Sequence, residues 1–317
     1  MFHGLQINFN EQILLLISTP LYALVIAFEI IMSHLRAKGY YSIRETITNI
    51  WFTVSNAAID LIIRGIYLLV LVWFYKHRLI DTWTMPVLYW FLLFILEDLA
   101  FYVEHSVDHY CRLFWAVHVT HHSSEEFNLT TGFRSSVLQP VYRFLYFIPI
   151  ALLGFQPIDI LFMFSLTQVY GVLVHTQYIK KMPAWFETVF VSPAHHRVHH
   201  ASNIIYLDKN MGMVLIIWDR IFGTFQEELK EEPVKFGITK ELEFRNHPVK
   251  MITHEFSDLA KDLKKDLPWS IRLKYLLMAP GWSHDGSTQT AKELRIQMGI
   301  EKLPSNNFDA PTDMLVR

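Results

Sequence analysis

The sequence predicts an all-α integral membrane protein: four to five transmembrane or re-entrant helices, with a cytosolic helical cap holding a histidine-rich two-metal site. Three observations predict it. Of 317 residues, 52% are hydrophobic and only 18% charged. Of the 58 charged residues, 29 fall in positions 226–317, so the first 225 are far more apolar than the average suggests. Ten of the 16 histidines lie between 105 and 200, where an even scatter would put about five.

The apolar runs follow in order. Residues 12–28 and 160–179 carry no charge, and each approaches the ~20 residues that cross a hydrocarbon core as a helix. The first run extends to about residue 32 if Glu29 lies near an interface, and Pro20 is tolerated where neighbouring helices satisfy the freed carbonyl. Residues 47–75 form a further span containing Asp60 and Arg64, which share a face at i, i+4. No other charged group accompanies that pair in the run, so an ion pair turned toward neighbouring helices is the favoured reading. Residues 83–103 form a span that ends near Glu97 and Asp98. Residues 144–158 read either as a tilted span or as one arm of a re-entrant hairpin with 160–179. The charged segment 226–317 is expected to be a cytosolic helical tail packed on the membrane-embedded catalytic part, 1–225. Within the latter, 183–191, with Trp185 and Phe186, reads as an interfacial helix.

Orientation follows from basic residues in short loops. Arg36, Lys38 and Arg44 lie in loop 33–46, and nothing basic precedes residue 12. That loop is therefore expected in the cytoplasm. Threading onward puts 76–82 outside, 104–143 inside, the tip at 153–159 outside, and everything from 180 inside.

Composition also excludes. A net charge of −2 argues against nucleic-acid binding by bulk electropositivity. The single cysteine, Cys111, rules out a disulfide framework and any thiolate metal cage. No phosphate-binding glycine loop and no dinucleotide fingerprint is present, so electrons for any redox chemistry come from outside.

The histidines are spaced like ligands. His105 and His109 are i, i+4; His118, His121 and His122 are i, i+3, i+4; and His196, His199 and His200 repeat that pattern. On a helix each set turns imidazoles toward one side. His175 ends the charge-free run 160–179, and the threading brings all four groups to one membrane face. Neutral imidazole suits iron, zinc, copper and nickel. Nine candidates exceed one ion but suit two, with four or five ligands each. Few carboxylates lie in the boxes, so calcium and magnesium fit poorly. Iron fits best, with zinc and copper still open. His195 is expected to support the third box rather than ligate.

The residues Asp98, Tyr102, His105 and His109, then WAVHVTHHSSEEFNLTTGFR (115–134) and SPAHHRVHH (192–200), resemble the fatty acid hydroxylase/sterol desaturase superfamily of integral-membrane di-iron enzymes. HHSSEEFNLTT, DKNMG (208–212), WDRIFGTF (218–225) and APGWSHDG (279–286) look most like its alkylglycerol-monooxygenase-like branch. The resemblance covers roughly 20–300. Ser106 stands where the family commonly has arginine, and Met211 and Met213 where it usually has tyrosine and glycine.

That resemblance implies His105, His109, His118, His121, His122, His175, His196, His199 and His200 as ligands of two irons. It implies Asp98 as a carboxylate orienting a ligand imidazole, with a plain helix-end carboxylate as the equal alternative. Glu125 and Asn128 become candidates for supporting or head-group contacts, against a solvated helix cap for Glu125. Dioxygen would be the co-substrate and a lipid the substrate. The external donor would be a reduced pterin such as tetrahydrobiopterin, or alternatively a cytochrome or ferredoxin. Hydroxylation of an alkyl or acyl chain, an ether lipid included, is the first expectation, and desaturation or sterol oxidation within the superfamily the second. A membrane metal transporter is the alternative from another class, but its ligands belong near the midplane on broken helices, not at span ends.

Overall fold

The computed structural model describes residues 11–240 and 247–301. The start of the membrane part, 1–10, and two pieces of the tail, 241–246 and 302–317, lie outside the described residues. Among the described residues there are helices and turns and only two isolated β-bridges.

Three helices are long and apolar enough to cross a membrane: α1 (Glu11–Leu35), α2 (Ile43–Lys76) and α3 (Pro86–Tyr110). Their outer faces are lined with exposed large apolar side chains, among them Leu16, Leu24, Leu61, Ile62 and Leu69. In water such a surface would be an aggregation liability; in lipid it costs nothing. The chain is a membrane protein. α2 starts where Ser42 accepts the Glu45 amide, and α3 starts at Pro86, whose missing N–H is one the first turn leaves unpaired anyway.

After α3 the backbone becomes extended at Cys111, and α4 (Arg112–His122) folds back against α3. The runs 144–158 and 160–179 do not form two full spans. The first, preceded by the short α5 (Pro140–Arg143), holds a 3-10 turn (Phe144–Phe147) and α6 (Ile148–Leu152), with Pro149 in the first turn of α6 unable to donate to a helix ladder. The second is α7 (Pro157–Leu173), whose 17 residues stop short of a full crossing. The two arms pack against each other and against α2 and α3, so of the two readings of 144–158 the structure has the hairpin form, and the helix ends before His175. At its tip Gly154 adopts φ +88°, and a Cβ there would lie 2.3 Å from the Ile80 carbonyl oxygen, so only glycine fits. Leu79 N–H donates to Leu152 O at 2.7 Å, and Tyr89 O–H to Asp159 at 2.6 Å. The hairpin tip and the α2–α3 loop therefore share one end of the molecule.

The histidines share the other end: His105 stands 19 residues along α3 from Pro86, about 29 Å at the helical rise. The rest of the chain gathers there as α8 (Ala184–Val189), α9 (Pro193–His199), α10 (Ile217–Phe222), α11 (Pro248–Leu263), α12 (Trp269–Leu277) and α13 (Ala291–Gln297). α11 packs on α4, where Arg112 donates to Glu255 at 3.0 Å and Asp262 at 2.6 Å.

The first turns of α2 are stitched to segment 124–136 by a ladder of polar contacts. Ser124 reaches Glu45 at 3.0 Å, Asn49 reaches Thr130 at 3.1 Å, Thr53 reaches Phe133 O at 2.6 Å, and Asn56 reaches Ser136 O at 2.8 Å. Arg134 is the pin. It is fully buried, stacks its guanidinium 4.9 Å over Phe52, and donates to Glu45, Asn49, Ser123 and Thr120 O. Burial pushes its pKa down to about 10, which leaves it charged at neutral pH. Arg134→Met would strand Glu45 and Asn49, and removing one partner of a buried pair costs about 3–5 kcal/mol. Thermal unfolding in detergent should show a midpoint lower by roughly 10 °C; a shift within about 2 °C would refute the pin.

Candidate metal centre

Nine imidazoles converge from four segments. The last turns of α3 supply His105 and His109, and α4 supplies His118, His121 and His122. His175 lies just beyond α7. α9 and its C-cap supply His196, His199 and His200. α9 is set by a capping box at its start, where Ser192 accepts the His195 amide and the His195 ring accepts the Ser192 amide, so His195 is an anchor of the box and belongs to neither ligand group.

The donor atoms sort into two groups. His105, His109, His118, His122 and His199 form one, and His121, His175, His196 and His200 the other; within each, the ligand atoms lie within 4.8 Å of one another. The two HxxHH boxes are thus shared. α4 gives its i, i+4 pair, His118 and His122, to the group of five and His121 to the group of four. α9 does the reverse, giving His196 and His200 to the four and His199 to the five. The groups abut, with the His122 and His200 ring centroids 4.5 Å apart.

Four outer ring nitrogens are occupied by backbone carbonyls. Nδ1 of His105 meets Met211 O at 2.8 Å, His121 meets Arg134 O at 3.0 Å, His175 meets Gly171 O at 2.7 Å, and His199 meets Lys209 O at 3.0 Å. A carbonyl only accepts, so each Nδ1 carries the proton and each Nε2 turns a lone pair inward. The inner nitrogens crowd: Nε2 of His105 and His118 are 3.1 Å apart, His118 and His122 3.2 Å, and His175 and His196 2.9 Å. His109 Nε2 and His199 Nε2 have no hydrogen-bond partner. Converging lone pairs in a buried site are stabilised by a cation, so the residues fit a metal.

Burial favours the neutral form of seven of the rings. It depresses His118, His122, His175, His196, His199 and His200 well below the usual imidazole value, neighbouring imidazoles adding to the effect, and lowers His121 to about 4. Close approach needs bare backbone at Gly132, where a Cβ would sit 3.0 Å from His175 Nδ1.

A five-residue turn after the third box holds much of the centre. Asp208 accepts from His109 Nδ1 at 3.2 Å, and the Lys209 and Met211 carbonyls take His199 and His105. Asn210 reaches the His195 carbonyl at 3.0 Å. Asp208 and Asn210 adopt positive φ, +55° and +57°, a conformation Asp and Asn tolerate better than other side chains. Asp219 clamps the turn through the Met211 and Gly212 amides.

Asp98 is not an imidazole partner. Its carboxylate accepts from the Val214 and Leu215 amides and from Trp218 Nε1, tying down the chain just past that turn. Seven residues before His105, it lies about 10 Å lower along α3, beyond an aspartate's reach. Glu125 is exposed and lies against Gly237, outside both groups. Asn128 is buried and braces its own loop through Tyr40 O and Thr130. Sequence reasoning passed over Asp108, whose carboxylate stands 3.6 Å from His118 Nδ1 while accepting from Tyr142 and Gln139. The signal was present: Asp108 sits inside HSVDH.

Two cavities touch the histidines. One of about 270 Å³ reaches His105, His118, His121, His175 and His196 from among α2, α3 and α7. The other, about 160 Å³, reaches His109, His122 and His199 from the cap side, between Trp115 and the loop at Pro280 and Gly281.

Residues 90–224 match the fatty acid hydroxylase family model. Alkylglycerol monooxygenase from Homo sapiens is 31% identical over 84% of this chain and 59% of its own length. The Danio rerio alkylglycerol monooxygenase is 33% identical over 70% of this chain and 49% of its own. The ornithine lipid hydroxylase OlsE of Rhizobium tropici is 26% identical over 52% of this chain and 50% of its own. The chain thus spans between about half and three fifths of the length of these relatives. No solved structure matches.

Depressed imidazole pKa values set how acid competes with metal. Protons displace a ligand only near its folded pKa, so binding should be untouched at the ordinary histidine value of about 6.5. Metal content measured after equilibration at pH 7, 5.5 and 4 should hold to 5.5 and fall toward 4, where His121 titrates. Release complete by pH 6 would contradict the burial argument.

Proposed function

From the premise that residues 90–224 belong to the fatty acid hydroxylase family, we propose that the chain is an O2-dependent di-iron lipid monooxygenase. It hydroxylates an alkyl or acyl chain, an ether lipid included. The observation that carries this reading is the pair of abutting histidine groups, five and four, opening on a cavity among the membrane-embedded helices. The nine histidines hold the metals, Asp208 steadies His109, and the tail after residue 225 caps the site.

Two irons bound there supply the redox chemistry that lets dioxygen oxidise an unactivated C–H bond. Everything else is the chain's own work. Backbone carbonyls fix the tautomers of His105, His121, His175 and His199, so their inner nitrogens stay free. Burial keeps bulk water from the site. The cavity places a substrate carbon against both groups, with Phe101, Phe164 and Val172 as apolar wall. The balance is one C–H bond and one O2, with two electrons and two protons, giving an alcohol and water. In this reading the electrons come from an external donor, a reduced pterin or else a cytochrome or ferredoxin. Arg36, Lys38 and Arg44 lie at the histidine end, which supports a cytoplasmic active site.

Desaturation is the second reading. It is supported by 29% identity over 43% of the chain to the Delta(7)-sterol 5(6)-desaturase ERG3 of Saccharomyces cerevisiae. A metal transporter is disfavoured, since the ligands lie near one end of α3 rather than at its middle.

Purified protein should contain about two iron ions per chain, and a single tetrahedral zinc would sink the proposal. His121→Ala should reduce O2-dependent product from a labelled lipid extract by at least about 100-fold. His284→Ala, in a ring bonded only to Tyr275 on the cap, should leave it unchanged; equal effects would overturn the ligand assignment.

A further inference from the structure

The cap carries an apolar stripe that no other segment covers among the described residues. On α12 the exposed large side chains are Trp269, Leu273 and Leu277, at i, i+4 and i+8, with Met278 just past the helix end. Trp269 is 76% exposed. The other side of the helix is buried at Tyr275, and α12 packs on α4 and α11. Steps of 100° per residue place Leu276 and the three exposed side chains within an arc of about 100°, with Arg272 at one edge and Lys274 at the other. Large apolar groups between two long cations are the pattern of a helix lying in a membrane interface, where basic side chains reach out to the head groups. In water the same stripe would be an aggregation liability.

The helix is also held at the level of such an interface. α3 has 25 residues, a rise of about 38 Å against a hydrocarbon core of about 30 Å, so its end at Tyr110 emerges among the lipid heads. The next two residues are tied to the end of α12. Cys111 Sγ donates to Leu276 O at 3.4 Å, and the Arg112 amide donates to Met278 O at 3.0 Å. Phe114 packs against Tyr142 with ring centroids 4.8 Å apart, which brings this elbow beside the segment that enters the hairpin. Leu113, Val141 and Leu145 are exposed there. The stripe of α12 thus adjoins the lipid-facing surface of the spans.

Charge narrows the partner. Residues 258–278 include five basic and three acidic side chains. A second copy fits poorly, because a twofold pairing of two such stripes would bring the Arg272 and Lys274 edges of both together. We propose that α12 docks in the head-group layer of a bilayer containing anionic lipids. Trp269, Leu273 and Leu277 lie among the upper acyl chains, and Arg272 and Lys274 lie on the head groups. α12 leads into Pro280 and Gly281 at the rim of the smaller cavity, so that rim is held at the membrane surface.

The test uses full-length protein in lipid nanodiscs, with one nitroxide label at a time. Labels go on Leu273→Cys, on Leu277→Cys and, as the water-facing reference, on Lys292→Cys, which replaces an exposed residue of α13. The background is Cys111→Ser, which keeps a donor toward Leu276 O. Collisions with dissolved oxygen, which concentrates in lipid, are compared with collisions with a water-soluble nickel chelate. The oxygen-to-nickel ratio at the two α12 positions should exceed the reference by at least about fivefold. Replacing part of the phosphatidylcholine by phosphatidylserine should raise it by about twofold, and Lys274→Gln should remove most of that gain. Equal ratios at all three positions, or no response to phosphatidylserine, overturn the docking. So does spin–spin broadening at the Leu273 position, which would put a second copy on the stripe. A second measurement keeps Cys111 and needs no label. Quenching of tryptophan emission by lipids brominated near the head group should fall on Trp269→Phe and hold on Trp282→Phe; the same quenching in both variants also refutes the proposal.

Discussion

Nine lone-pair donors aimed at two points inside a protein are mutually repulsive, and the rest of the structure can be read as the means of holding them there. Each outer nitrogen that is fixed removes one way for a ring to turn aside. Fixing them takes carbonyls from segments distant in sequence: Met211 for His105, Arg134 for His121, Lys209 for His199. Those carbonyls must themselves be immobile. Arg134 is fully buried and locked to α2, and the turn at 208–212 is locked by Asp219 and, just beyond it, Asp98. The buried carboxylates and guanidinium thus stabilise geometry at some cost to themselves, a cost that bound metal offsets.

The membrane decides where such a site can be built. Three long helices present apolar faces to lipid, which leaves polar machinery only at their ends or inside the bundle. α2 runs 34 residues, about 51 Å, well beyond a hydrocarbon core. Its surplus turns form the polar ladder to segment 124–136, and so carry Arg134 and, through its carbonyl, His121. The broken hairpin from α5 to α7 serves the other requirement. By stopping at Leu173, α7 frees the chain to bend at the level where His175 is needed.

Much of this was legible in the chain, and the limits have physical causes. The HxxHH spacing pointed to a shared site because i, i+3 and i+4 lie on one side of a helix. It did not reveal the division between two groups. Residues i+3 and i+4 are about 100° apart around the axis, so one turn can serve two centres flanking it, and only the packing of α4 against α9 decides which. The composition of 144–158 matches a span; its prolines and the clash at Gly154 become decisive only once the Ile80 carbonyl is placed beside it. The Asp60–Arg64 pair looked isolated because its further partners are remote: Arg64 also donates to Glu11, 53 residues away, and Ser165, on another helix, donates to Glu11. Asp98 is the contrary case: of its two readings, orienting a ligand imidazole or a plain structural carboxylate, its bonds to Val214, Leu215 and Trp218 favour the second, and those partners lie more than 110 residues away in sequence.

The two metal groups are unequal in ways that follow from their outer partners. In the group of five, His109 leans on the Asp208 carboxylate and His118 stands near Asp108. In the group of four, His121 and His175 lean only on neutral carbonyls. A carboxylate behind an imidazole makes it a stronger donor toward any metal it would hold. The four-ligand position has one fewer ligand, and three of its rings, His121, His175 and His196, border the larger cavity. Both groups reach the larger cavity, and the interleaving of α4 and α9 keeps the two from being assembled separately.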